Sequence, residues 1–115
     1  MPDFIHLHNH THYSLQDGAC KVKSLIQAAK NFGMKAVALT DHGVLYGVPE
    51  FYKEANYAGI KPIIGMEAYI VKDGSRFDRK KNDELLPDNR KRKHYNHLIL
   101  LAKNLTGYKN LVKLS

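Results

Sequence analysis

The chain has one cysteine, Cys20, in 115 residues. An intramolecular disulfide is therefore excluded, and the composition fits a reducing, cytoplasmic setting. No apolar run approaches the roughly 18 residues that a membrane span needs, so no membrane partner is expected. The opening Met1-Pro2-Asp3 lacks the basic and apolar stretches of a secretory signal. No internal repeat or low-complexity linker divides the chain. Acidic residues are in the minority, 11 against 18 lysines and arginines, for a formal net charge of +7. That balance favours an anionic partner such as nucleic acid, a nucleotide or phosphate. Much of the excess is local: nine basic and five acidic residues lie between Lys72 and Lys93. This segment reads either as a solvated surface loop or as a contact for nucleic acid. The rest, 43% hydrophobic and 25% charged overall, is ordinary for one globular domain.

Histidine is what the chain has in concentration. Four of its seven histidines fall in His6-Leu7-His8-Asn9-His10-Thr11-His12. On an extended strand residues 6, 8, 10 and 12 would all point to one side. A row of imidazoles is a costly way to build a core, and imidazole is the commonest metal ligand among side chains. The segment reads as the start of a metal site; the plainer alternative is a polar edge strand.

Short apolar runs alternate with helical stretches. Phe4–His8 reads as a first strand. Ser24–Phe32 carries apolar residues at helical spacing, with Gly33 placed to end the helix. Ala36–Thr40 is a short buried strand. Pro49–Tyr57 is a second helix, stopped by Gly59. Pro62–Val71 is a third strand region, and His97–Ala102 a fourth. Thr106–Leu114 begins another helix, and the end of the chain inside it is expected of a segment of a larger domain. This order predicts an α/β fold with parallel strands and covering helices.

The chemically capable residues sit at the carboxyl ends of these strands, where parallel α/β folds bind ligands. His8 and His10 end the first, Asp41 and His42 follow the second, and Glu67 lies late in the third. His97 departs from the pattern by opening the fourth. Asp17 is either a further carboxylate ligand or a turn residue before Gly18. Histidine and carboxylate without cysteine suit zinc, manganese or iron. More than four candidates imply a cluster of two or three metals, an arrangement suited to phosphoester hydrolysis.

These residues carry a resemblance. His8-Asn9-His10-Thr11 with Ser14, and Thr40-Asp41-His42-Gly43, resemble the first two motifs of the polymerase and histidinol phosphatase (PHP) superfamily. Phe4–Ala19, Gly43–Tyr52, Gly59–Tyr69 and His97–Leu114 are similar to the N-terminal PHP domain of bacterial DNA polymerase III alpha subunits. The resemblance covers nearly the whole chain apart from 72–96, which it implies is a variable basic loop. It implies that residues 1–115 are the N-terminal portion of a PHP-type distorted (β/α)7 barrel, ending before the family's later metal motifs. Carried over by position, His8, His10, Asp17, His42, Glu67 and His97 are metal ligands, and Asp41 with His42 the catalytic pair. Asp41 is taken as a ligand or as an orienter of His42. His6 and His12 fall where the family varies, and His94 is expected to be solvent-exposed in the loop. The resemblance implies a Zn2+ or Mn2+ cluster (or iron), with Mg2+ serving a polymerase domain outside this chain. The partners it implies are DNA, a proofreading subunit and other replisome subunits. The expected activity is 3′–5′ exonuclease proofreading, or a docking role for the proofreading subunit. The alternatives are a stand-alone phosphoesterase for a small phosphate monoester and an interaction domain with a structural metal.

Overall fold

The computed structural model describes residues 3–15, 17–78, 86–88, 90 and 93–115. Six elements follow in the order α1 (Val22–Asn31), β1 (Ala36–Leu39), α2 (Val48–Ala58), β2 (Lys61–Val71), β3 (Tyr95–Leu101) and α3 (Leu105–Leu114). The chain separates into two compact units, Met1–Ala68 with Ile99–Ser115, and Tyr69–Leu98.

The first unit holds the core. Every residue of β1 is buried, as an all-apolar strand covered on both faces requires. Val22, Ile26 and Ala29 of α1 and Val48, Phe51 and Ala55 of α2 close on Val37 and Leu39 of β1. Gly33 and Gly59 follow α1 and α2 with φ of 72° and 74°, the left-handed conformation that glycine adopts cheaply. β1 pairs with β2 in parallel, Ala36 beside Lys61 through Leu39 beside Ile64. Asn104 caps α3, its side chain accepting the Gly107 N–H at 3.0 Å. A cavity of about 520 Å³ lined by Tyr52, Ile64, Leu105 and Tyr108 lies among α2, β2 and α3, and none of the expected site residues lines it.

Three expectations change. Phe4–His8 forms no regular strand. The N–H groups of Ala38 and Thr40, two residues apart, donate to the carbonyls of His6 and Asn9, three apart. One extra residue breaks the ladder, as in a β-bulge. The Asn9 side chain fills the gap, donating to the Ala38 carbonyl at 2.9 Å and the His6 carbonyl at 3.2 Å. The shared parity of the four histidines is lost with the ladder.

The second correction is the direction of β3. It neighbours β2 in the sheet. Ala102 N–H donates to the Ile64 carbonyl, and Lys72 N–H to the His94 carbonyl, so the two strands run antiparallel. A parallel return needs a crossover, usually a helix, and the described residues between Lys72 and His94 form turns and bends only.

The second unit contains the end of β2 and the start of β3. Tyr69, Tyr95 and His97 gather there, with ring centroids 5.1–5.7 Å apart. His94 is half-buried rather than exposed. Of the basic residues noted in this stretch, Arg79, Lys80, Lys81, Lys91 and Arg92 lie outside the described residues.

Candidate metal centre

The parallel register of β1 and β2 continues past the end of β1, placing His42 beside Glu67 in an isolated bridge. Glu67 N–H donates to the Asp41 carbonyl, and Gly43 N–H to the Glu67 carbonyl. The histidine-rich segment reaches the same place through Asn9 and Thr40. Asn9 N–H donates to Thr40 Oγ1 at 2.9 Å, and the Thr40 hydroxyl donates to the Asn9 carbonyl at 3.0 Å. His8 and His10 flank this anchor and reach Glu67.

The Glu67 carboxylate is buried and receives three imidazoles. His8 Nε2 lies 3.1 Å from Oε1, while His10 Nε2 and His42 Nδ1 lie 2.8 and 2.7 Å from Oε2. Asp17 closes the other side, its Oδ2 2.8 Å from His42 Nε2 and 3.3 Å from His10 Nδ1. The bond from His42 is the main cause holding the Asp17 carboxyl below the usual carboxylate range, with the neighbouring imidazoles adding to it against partial burial. His8, His10 and Glu67 form one group, and His10, Asp17 and His42 a second, each with donor atoms within 4.8 Å of one another. Two ligands about 2.1 Å from one zinc at a tetrahedral angle lie roughly 3.4 Å apart. The facing donors now touch at 2.7–3.3 Å, so a small outward turn of the side chains opens that spacing, and the residues fit a divalent ion.

Each predicted residue has a definite place. His8, His10, Asp17, His42 and Glu67 come together in the first unit. His97 belongs to the second unit, packed against Tyr69 and Tyr95. Its position at the start of its strand follows from direction, because an antiparallel strand begins at the carboxyl end of its neighbour. Asp41 and His42 take different partners. His42 turns to Asp17 and Glu67. Asp41 is buried and turns to the loop before α1, accepting Thr11 N–H at 2.6 Å, Thr11 Oγ1 at 2.9 Å and Ser14 Oγ at 3.2 Å. His6 meets Phe4 edge to face, His12 lies tilted against Tyr13, and both histidines are exposed.

Sequence reasoning missed the supports. Asn9, Thr11, Ser14 and Thr40 hold the candidate donors through backbone contacts that no spacing rule reveals. Tyr13 was missed as well: its hydroxyl donates to Glu50 Oε2 at 2.7 Å, and the carboxylate raises the phenol's pKa. The one available signal was a run of small hydroxyl residues between metal-ligating types.

Comparison with known proteins follows the same residues. The PHP domain family matches residues 6–115. The chain is 56% identical over 114 residues to the DNA polymerase III subunit alpha of Aquifex aeolicus, covering 98% of this chain and 10% of that protein. It is 57% identical over 112 residues to the subunit of the same name from Borreliella burgdorferi, covering 97% of this chain and 9% of that protein. The chain thus spans about a tenth of the length of these relatives. Among solved structures it resembles a Bifidobacterium adolescentis protein assigned as a metal-dependent phosphoesterase. That likeness has a TM-score of 0.54 and 26% identity over 62% of this chain and 24% of the other. An amidohydrolase from Chromobacterium violaceum shares the fold, with a TM-score of 0.59 and 23% identity over 95% of this chain and 32% of the other. The convergence of His8, His10, Asp17, His42 and Glu67 lies within the matched residues, and the chain belongs to the PHP domain family.

Proposed function

We propose that this chain is the N-terminal segment of the PHP domain of a bacterial replicative DNA polymerase alpha subunit, and that it supplies ligands for a metal cluster that cleaves phosphoesters. The observation that carries the reading is the convergence of three imidazoles on the buried Glu67 carboxylate, with Asp17 closing on two of them. Oxygen and nitrogen donors without thiolate suit Zn2+, Mn2+ or iron. When bound, such ions supply a Lewis acid and an activated water.

The chain's own residues do the rest. Glu67 presents its buried carboxylate within 3.1 Å of a ring nitrogen of each of His8, His10 and His42. His10 is common to both groups and sets their separation. Asp17 and the outer edge of His8 remain accessible to solvent, which gives a substrate phosphate an open side.

The polymerase-subunit relatives and the +7 charge support DNA as the substrate, with proofreading and other replisome subunits as partners. The reaction is then 3′–5′ exonucleolytic cleavage, and a Mg2+-dependent polymerase domain belongs to the longer protein. The likeness to the Bifidobacterium protein favours a second reading, hydrolysis of a small phosphate monoester. Assays of the manganese-loaded or zinc-loaded chain on single-stranded DNA and on phosphate monoesters separate the two. Activity on neither substrate, with metal retained, points to a structural metal in a docking domain. His8→Ala combined with His10→Ala should reduce bound zinc or manganese to background in elemental analysis. Unchanged metal content would sink the assignment.

A further inference from the structure

We infer that Asp41 is a positioning residue, which with Thr11 and Ser14 forms a buried clip that shapes the ligand loop, and that it is not a metal ligand. The inference rests on the metal-centre reading above. Asp41 is 1% exposed, Thr11 0% and Ser14 2%, so the clip is dry. Both Asp41 carboxylate oxygens are engaged, Oδ1 by Thr11 N–H and Ser14 Oγ, Oδ2 by Thr11 Oγ1. Buried charge-assisted hydrogen bonds of this kind are strong and geometrically demanding. Asp41 is also absent from both groups of donors that converge in the first unit.

The clip reaches the ligands from two directions. Ser14 Oγ donates to Asp41 and accepts the His42 backbone N–H at 2.8 Å, which fixes the backbone from which the His42 ring projects. Thr11 and Ser14 also shape the turn that carries Asp17. Ser14 N–H donates to the Thr11 carbonyl, and Gly18 N–H to the Ser14 carbonyl. A Cβ on Gly18 would fall on the Thr11 carbonyl, so this turn closes only around glycine. Asp41 thus holds the frame on which His10, Asp17 and His42 are brought together.

Replacement by asparagine separates a positioning role from a ligand role. Asn keeps an acceptor for Thr11 N–H and Ser14 Oγ, and its amide can donate to the Thr11 hydroxyl. Cobalt(II) titration of the full chain, followed by visible absorption, is the test, with His10→Ala as the reference for loss of a ligand. Asp41→Asn should keep cobalt affinity within a few-fold of wild type and preserve the spectrum. Asp41→Ala and Ser14→Ala should weaken binding roughly 10-fold to 100-fold, the usual effect of losing a partner that orients a ligand. If Asp41→Ala fails to fold, Ser14→Ala and Asp41→Asn carry the comparison. Loss of cobalt in Asp41→Asn to the extent seen in His10→Ala overturns the inference. So does wild-type affinity in Ser14→Ala.

A second readout needs no metal. The Thr11 and His42 amides should exchange slowly with solvent in wild type and Asp41→Asn, and His42 should exchange faster in Ser14→Ala. Unchanged exchange at His42 in Ser14→Ala overturns the clip. If no chain takes up cobalt, wild type included, the metal-centre reading falls and amide exchange alone decides the role of Asp41.

Discussion

Asp17 and Asp41 are both acidic residues near His42, yet their surroundings give them different work. Asp17 sits on an exposed turn and points at two imidazoles. Asp41 is buried and turns its carboxylate to Thr11 and Ser14. For Asp17 a pH dependence follows. Its folded-state carboxyl titrates below the usual range, chiefly through the bond from His42. A depressed carboxylate stabilises the fold above its unfolded pKa, and that contribution is lost as pH falls through the depressed value. In metal-free protein, wild type should therefore be more stable than Asp17→Asn near neutrality. Thermal melts across the acid range should show the difference shrinking; a constant difference would contradict the assignment. His8 and His10 were legible as candidate donors because histidines at this spacing have few structural uses. Ser14 and Thr11 were not, because a hydroxyl that caps a loop and one that holds a loop of candidate donors look alike until their partners are known.

The helices and strands were mostly legible. The three helices among the described residues and the strands over Ala36–Leu39, Lys61–Val71 and Tyr95–Leu101 lie close to where apolar periodicity places them. Glycine marked the helix ends because the left-handed conformation is costly for any residue with a Cβ. This allows two glycines to be contrasted. Gly59 has φ of 74°, and a Cβ there would meet nothing within 4 Å. Gly59→Ala should cost about 1 kcal/mol by thermal denaturation, with cobalt affinity unchanged. Gly18→Ala should cost more and should also weaken cobalt binding, because the Thr11 carbonyl must move. Equal effects of the two changes would refute the tight closure of the ligand turn. Phe4–His8 misled because its composition is that of a strand while its hydrogen bonds skip a residue. β3 misled because an apolar run carries no mark of its direction.

The donors that meet in the first unit come from stretches as far apart as His8 and Glu67, so a bound ion acts as a cross-link between distant parts of the chain. Metal should therefore stabilise the fold by mass action, by about 2.7 kcal/mol when free metal is 100 times its Kd. Melting curves should rise in temperature with zinc or manganese, fall back with a chelator, and stay unmoved by metal in the double variant His8→Ala, His10→Ala. A metal-dependent shift in that variant would place the ion elsewhere. No described helix is long and apolar enough to cross a membrane. The identity of the donors, the absence of thiolate among the candidate ligands and the positions of the helices follow from residue type and local periodicity, both properties of short stretches. The meeting of His42 with Glu67, the turning of Asp41 away from the donors and the reversal of β3 depend on strand register and hydrogen-bond partners. Those are set by pairings between residues dozens of positions apart, and they exist only once the chain has folded.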